Sequence, residues 1–128
     1  MIFTYSSLYS SCFLIYIFVV LWDIYKDCSN YNALSGHKNA VLEVKWTSNG
    51  THIISCSADK TVAVYDANRG TRVRKYLDHK GIVNSCSLAA AAPEIFCSGS
   101  DDSSVLVWDT RDKRSVSAIP HTYQVDVI

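Results

Sequence analysis

Apolar and polar side chains alternate along several short stretches of this chain, which is the spacing of a β-strand with one buried face. Residues 41–46 alternate in this way, and the Asn49-Gly50 pair that follows them is a strong signal for a tight hairpin turn. A second run, 82–88, leads into a looser turn at 89–93. The pattern predicts an all-β chain of short strands joined by turns.

A longer pattern repeats along the chain with a shift of 43 residues, which aligns residues 55–67 with residues 98–110. In each copy two short β-type runs flank a polar turn, as in a hairpin. A further strand precedes each hairpin, and another follows it, at roughly 71–77 and 114–119. The sequence therefore predicts two four-stranded units, at about residues 36–77 and 79–119.

Pairs of an aromatic residue and an aspartate recur at the same interval of 43 residues, at Trp22-Asp23, Tyr65-Asp66 and Trp108-Asp109. Three histidines recur every 42 residues, at His37, His79 and His121. Repeats of this length are typical of units that stack on copies of themselves. Such chains usually present a surface to partners, so we expect a binding function.

Residues 1–18 lie outside the repeat pattern. A shift of 43 residues places Cys12 where the repeat has serine and Tyr16 where it has the turn aspartate. We therefore expect a divergent apolar N-terminal segment at 1–18 and a repeat region at 19–128.

The apolar run from Cys12 to Trp22 raises the question of a membrane segment. It is shorter than the ~18 residues of a spanning helix. No basic residue precedes it and no small-residue cleavage site follows it, which argues against a secretory signal. A membrane-tethered adaptor is kept as an alternative, although no membrane partner is expected.

The charge and cysteine content excludes some functional classes. Lys plus Arg and Asp plus Glu both number 12, so net charge gives no reason to expect nucleic-acid or membrane-surface binding. The five cysteines form no Cys-x-x-Cys pair, which argues against a zinc site or a disulfide framework. We expect buried thiols in a reducing compartment.

The predicted fourth strand of the first unit is basic, with Arg72, Arg74 and Lys75. These residues are typical of an outer edge strand that charge protects against pairing. They also fit an edge that contacts acidic groups or RNA, and the sequence leaves both interpretations open.

The Gly36-His37 pair, Asp59 in the hairpin turn and the terminal aromatic-Asp pair resemble the WD-repeat family. The resemblance implies an all-β fold, a partial WD-repeat β-propeller with two complete four-stranded blades plus incomplete ends. It also implies a buried hydrogen-bond tetrad of His, Ser, Asp and Trp in each blade. The matching residues are His37, Ser55, Asp59 and Tyr65 in the first blade and His79, Ser98, Asp102 and Trp108 in the second.

One of these residues and one neighbouring residue depart from the family pattern. Tyr65 replaces the tryptophan in the first blade, and Asp78 replaces the glycine before His79 in the second. In such a tetrad the carboxylate accepts from histidine, histidine reaches the hydroxyl, and tryptophan donates to that hydroxyl. We expect these groups to lock loops to strands instead of forming a catalytic dyad, and we expect no enzyme activity, cofactor or metal.

Several segments between the generic motifs are similar to spliceosomal members of the family. They are residues 21–31, 59–66, 83–86 and 122–125. This resemblance implies a nuclear, non-enzymatic scaffold in pre-mRNA splicing. The implied partners are spliceosomal proteins, namely the large core protein of the U-five particle and its associated helicase, while direct RNA contact is left open. The resemblance also implies a fragment of a larger propeller, because a new first strand begins just before Ile128.

A second function is suggested by the tetrapeptide Trp108-Asp109-Thr110-Arg111. It resembles the Trp-Asp-x-Arg box of WD-repeat substrate receptors of cullin ubiquitin ligases. Trp108, Asp109 and Arg111 would then contact the ligase adaptor. A generic WD-repeat adaptor is the remaining alternative.

Overall fold

The computed structural model describes residues 3–5, 10–15, 18–23 and 29–120, with side chains from residue 33 onward. The sequence expectations at His121 and Tyr16 lie outside these residues. The strands are β1 Phe3–Tyr5, β2 Ser10–Ile15, β3 Phe18–Asp23, β4 Ser29–Leu34, β5 Val41–Trp46, β6 His52–Ser57, β7 Val62–Asp66, β8 Thr71–Tyr76, β9 Val83–Leu88, β10 Ile95–Ser100, β11 Ser104–Asp109 and β12 Ser115–Pro120.

The strands form three four-stranded antiparallel meanders, each in chain order: β1 to β4, β5 to β8 and β9 to β12. We call them the first, middle and last sheets. The middle and last sheets are the two predicted blades, which confirms the all-β fold of propeller blades. Among the described residues there is no helix, and hence none long and apolar enough to cross a membrane.

The first sheet differs from the expectation of an incomplete N-terminal end. β1 pairs with β2, and β2 pairs with β3 through registers such as Ile15↔Phe18, so pairing crosses the predicted boundary at residue 18. Apolar, β-branched and aromatic residues favour strands whether or not the polar signature of the repeat is present. Two of the strands therefore form in a segment whose sequence does not match the repeat.

The hairpin turns of the middle and last sheets adopt the same backbone conformation. Lys60 has φ of 69° and Ser103 has φ of 63°, each one residue after the turn aspartate. The amides of Asp59 and Asp102 each bond the hydroxyl of the serine two residues earlier, at 3.1 and 3.2 Å. The 43-residue repeat in sequence is thus also a repeat in geometry.

Two apolar layers form on opposite faces of the middle sheet. One joins Val44, Ile53 and Tyr65 to Leu34 of β4. The other packs the middle sheet against the last sheet, where the rings of Tyr76 and Trp108 lie 4.5 Å apart. Side chains buried this fully contribute about 1.5–3 kcal/mol each, so the interfaces between sheets hold much of the stability.

The cysteines with described side chains are free thiols in strands. Cys56 and Cys86 are buried in the layer between the middle and last sheets, and Cys97 is half-buried. Burial raises the pKa of the Cys56 and Cys97 thiols. Such thiols react poorly, because the thiolate is the reactive form.

A polar contact also crosses between these two sheets. The Glu43 carboxylate in β5 accepts a hydrogen bond from the backbone N–H of Cys86 in β9 at 3.0 Å. Lys45 lies 3.4 Å from the same carboxylate, but it is 42% exposed. The contact ties the first strand of the middle sheet to the first strand of the last sheet.

We expect Glu43→Ala to lower the free energy of unfolding by about 1–2 kcal/mol, because the amide of Cys86 loses its acceptor in a partly buried place. Glu43→Gln keeps an acceptor oxygen and should lose less. Lys45→Ala removes only an exposed ion pair and should change stability by less than about 0.5 kcal/mol. Urea melts of the three variants make the measurement, and equal effects of Glu43→Ala and Lys45→Ala would contradict the role of this contact.

Candidate functional site

The structure brings together the four candidate residues of the last sheet. His79 lies in the loop before β9, Ser98 in β10, Asp102 in the β10–β11 turn and Trp108 in β11. His79 Nδ1 is 3.0 Å from Asp102 Oδ2, and His79 Nε2 is 2.7 Å from Ser98 Oγ. Trp108 Nε1 donates to Ser98 Oγ at 2.7 Å. One chain of hydrogen bonds thus links a loop, a turn and two strands.

The direction of these bonds follows from the chemistry of the groups. A carboxylate only accepts, so Nδ1 of His79 carries the proton that it donates to Asp102. Trp108 donates to Ser98, which leaves the Ser98 hydroxyl to donate its own proton to Nε2. Every member then has a partner, which is the condition under which a buried polar set stabilises a fold.

In the middle sheet the histidine, serine and aspartate adopt the same arrangement. His37 Nδ1 lies 3.0 Å from Asp59 Oδ2, and His37 Nε2 lies 2.6 Å from Ser55 Oγ. Tyr65 differs from its counterpart Trp108, because its hydroxyl donates to the backbone carbonyl of Ser35 at 3.2 Å. The tyrosine therefore fastens the loop before β5 through a backbone group.

A second difference between the blades lies at the residue before each histidine. Gly36 has φ of 135°, and a methyl group there would come within 3.0 Å of Arg72 Nη1. At the matching place in the last sheet, Asp78 accepts from the amide and hydroxyl of Ser115 at 2.9 and 3.0 Å. The departure at Asp78 therefore has its own contact, a carboxylate that holds the start of β12.

The sequence expectations did not include all the groups that surround the two aspartates. The amides of Lys38 and Lys80 each donate to one carboxylate at 2.9 Å, and the amides of Thr61 and Ser104 each donate at 3.0 Å. The hydroxyls of Thr61 and Ser104 donate to the same carboxylates. The available signal was a hydroxyl residue two positions after each turn aspartate, repeated at the 43-residue interval.

These contacts and the burial of the groups shift the pKa values of both aspartates and of His37. Burial alone would raise the pKa of Asp102, but hydrogen bonds from Ser104, the Lys80 amide and His79 outweigh it and lower the pKa to about 2. The pKa of Asp59 is lowered in the same way, against burial, by Thr61, the Lys38 amide and His37. Burial lowers the pKa of His37 below its usual 6.5, in spite of the neighbouring carboxylate. The set in the middle sheet is therefore an ionised aspartate beside a neutral histidine.

The His-Ser pair of the last sheet is buried within the part of the chain that the structure describes. Ser98 is 0% exposed and His79 is 5% exposed. The hydroxyl of Ser98 already forms hydrogen bonds with Trp108 Nε1 and His79 Nε2. Within the described part of the chain, no group of three metal-binding side chains gathers either. We propose that both sets are structural and hold the loops onto the strands.

The residues of the ligase-type box are divided between interior and surface. Trp108 is fully buried, so an adaptor contact at this residue would require its exposure, and the contact stays a prediction. Asp109 is also buried and is bound by Arg111, with Nη2 to Oδ2 at 2.6 Å. This pair holds the pKa of Asp109 at about 2. Only Arg111, 73% exposed, could meet a partner.

We expect Asp102→Ala to lower the free energy of unfolding by about 1–3 kcal/mol, because His79 stays buried while it loses its acceptor. The matched control is Asp112→Ala, which removes an exposed carboxylate ten residues along the chain and should cost less than about 0.5 kcal/mol. Denaturant melts of both variants measure the difference. Equal losses would contradict the structural role of Asp102.

We expect acid to destabilise the fold in two stages. The folded state resists protonation of His37, so stability is full above pH 6.5 and falls as the pH drops below it. The contribution of Asp102 is present above 3.8 and is lost as the pH falls towards about 2. Urea melts across this range in the wild type and in His37→Gln separate the stages. If the variant loses as much stability as the wild type when the pH drops below 6.5, His37 is not the source of the first stage.

Comparison with known proteins agrees with this architecture. A family model described as WD domain, G-beta repeat, matches residues 28–66 and 70–109. Among curated proteins, the chain is similar to the U5 small nuclear ribonucleoprotein 40 kDa protein of Dictyostelium discoideum, with 39% identity over 107 residues. The identity to the Homo sapiens protein of that name is 44% over 107 residues. The Pre-mRNA-splicing factor cwf17 of Schizosaccharomyces pombe is 30% identical over 110 residues.

These matches cover most of this chain but a minority of each relative. The two 40 kDa proteins are matched over 84% of this chain and 30% of their own length, and cwf17 over 86% and 32%. The chain thus spans about a third of the length of these relatives. The family match, the two repeated sheets and the two hydrogen-bond sets lead to one conclusion: the chain belongs to the WD domain, G-beta repeat family.

Proposed function

We propose that the chain serves as a non-enzymatic scaffold in pre-mRNA splicing, as part of the U5 small nuclear ribonucleoprotein in the nucleus. The observation that carries this proposal is the similarity to relatives whose names place them in that particle or in splicing, at 30–44% identity over 84–86% of this chain. The repeated blades supply the kind of rigid surface on which partners assemble.

A scaffold also agrees with the chemistry of the buried sets. His37 and His79 are 7% and 5% exposed, and each ring uses both nitrogens within its own blade. A general base needs access to the proton that it abstracts. The histidines therefore support a structural role, with no catalytic step and no cofactor.

The proposed partners are spliceosomal proteins, namely the large core protein of the U5 particle and its associated helicase. Net charge is zero over the whole chain, which gives no global attraction to RNA. Protein contacts are therefore the proposed means of association with the particle.

A tagged version of the chain expressed in cells should recover U5 RNA and the large core protein of that particle. Asp102→Ala should reduce this recovery, because the last sheet is destabilised. Arg111→Ala should leave the recovery nearly intact, since that side chain lies at the surface and binds Asp109.

Immunoprecipitation followed by RNA blotting and mass spectrometry makes the measurement. Recovery of cullin-ligase adaptors without small nuclear RNA, and its loss in Arg111→Ala, would favour the ligase-receptor alternative and contradict the splicing role.

A further inference from the structure

A basic groove lies at the outer edge of the middle sheet. It is lined by Val73, Arg74 and Lys75 of β8 and by Lys113 from the turn before β12, and its volume is about 270 Å³. β8 is the last strand of its sheet, so in the described part of the chain its outer edge is paired with no further strand. We call this surface the β8 edge.

Basic side chains of β8 lie on both faces of the middle sheet. The register pairs Val64 with Arg74 and Ala63 with Lys75, so these neighbours point to opposite faces. Arg74 Nε donates to the carbonyl of Thr110 at 2.9 Å, on the side of the last sheet. Lys75 Nζ is 3.4 Å from the carbonyl of Gly36, on the opposite side, where Arg72 also lies.

Arg74 and Lys75 have carbonyl neighbours, and among the described residues the cations of this edge have no carboxylate partner. The ion pairs within 4.0 Å among the described residues involve other side chains, so Arg72, Arg74, Lys75 and Lys113 are not neutralised in that part of the chain. Asp109, close by, is bound by Arg111 at 2.6 Å. Asp112 lies in the same turn as Lys113 and is exposed. The β8 edge is thus locally positive on a chain whose net charge is zero.

The apolar residues nearby indicate which kind of anion fits. Val73 is 51% exposed and Leu77 is 68% exposed, and the other large exposed apolar side chains among the described residues, Val116 and Ile119, are aliphatic too. Single-stranded RNA is usually bound by stacking on aromatic rings, which this surface lacks in the described residues. An open strand edge with aliphatic and cationic side chains instead fits an extended peptide that adds to the sheet.

We propose that the β8 edge binds an extended segment of a protein partner in which acidic and aliphatic residues are mixed. Carboxylates on one face of the segment meet Arg74 and Lys113, and those on the other face meet Arg72 and Lys75. An aliphatic side chain covers Val73. The same charges repel a second copy of β8, so the edge is protected against self-association while it admits an acidic strand.

Fluorescence anisotropy of the 128-residue chain with a labelled peptide of alternating glutamate and valine tests this binding. The comparison probes are the same peptide with lysine in place of glutamate, and a labelled oligouridine. We expect the acidic peptide to bind most tightly and to weaken as salt increases. The lysine peptide should not bind.

Two sets of variants localise the binding. The Lys75→Glu, Lys113→Glu double variant should weaken it roughly tenfold or more. The Lys60→Glu, Arg69→Glu double variant makes the same charge change on exposed residues that do not line the groove and should stay within about twofold. Arg74 is left intact because its guanidinium also bonds the carbonyls of Thr110 and Arg111.

Val73→Glu places a carboxylate inside the groove while all cations are kept, and it should weaken binding to a similar degree. It also provides a test if the double variant does not fold. Equal weakening by the groove and control variants, tighter binding of oligouridine, or no binding of the acidic peptide to the folded chain would overturn the proposal. Binding of a peptide in vitro is independent of the splicing role, so the two proposals fail separately.

Discussion

The bond between a turn carboxylate and a buried histidine is the contact on which the arrangement of each blade depends. In the last sheet it joins Asp102 in the turn to His79 in the loop. The other ring nitrogen of His79 forms a hydrogen bond with Ser98 in the neighbouring strand. A neutral imidazole inside a protein needs a partner for each nitrogen, or the unpaired group costs about 1–3 kcal/mol. That requirement fixes the loop, the turn and the strand relative to one another.

The two blades meet this requirement with different surrounding residues. Trp108 closes the set in the last sheet through its indole N–H to Ser98, while the Tyr65 hydroxyl in the middle sheet donates to the backbone carbonyl of Ser35. Gly36 leaves room for Arg72, whereas Asp78 at the matching place makes a new contact with β12. The histidine, serine and aspartate therefore form the constant part, and the residues around them vary with the local packing.

Much of this arrangement was predictable from the sequence because local rules determine it. The hairpins follow from alternation and turn residues, and the 43-residue interval predicted which histidine, serine and aspartate would meet. The strands at residues 3–15 were not predicted, because they lack the polar signature and form through apolar strand pairing. Contacts such as Glu43 to Cys86 depend on how two sheets pack, and spacing along one chain carries no information on that.

The burial of Trp108 shows that a short sequence motif also does not tell which of its residues are exposed to a partner. The tetrapeptide that suggests a ligase contact is short and ends at an exposed arginine, yet its first residue lies in the core. Similarity over most of the chain is better support for a function than a motif of four residues. The basic β8 edge is a further case: its cations are visible in sequence, but the sequence does not tell which carboxylates of the described residues lie within reach of them.

The most direct test of the carboxylate–histidine bond is nitrogen-15 NMR of the imidazole rings. If His37 and His79 donate from Nδ1 to Asp59 and Asp102, both rings should populate the tautomer protonated at Nδ1, with that proton protected from exchange with water. The signal of His79 should lose this protection in Asp102→Ala while that of His37 keeps it. Rings protonated at Nε2, or averaging rapidly between tautomers in the folded protein, would contradict the account.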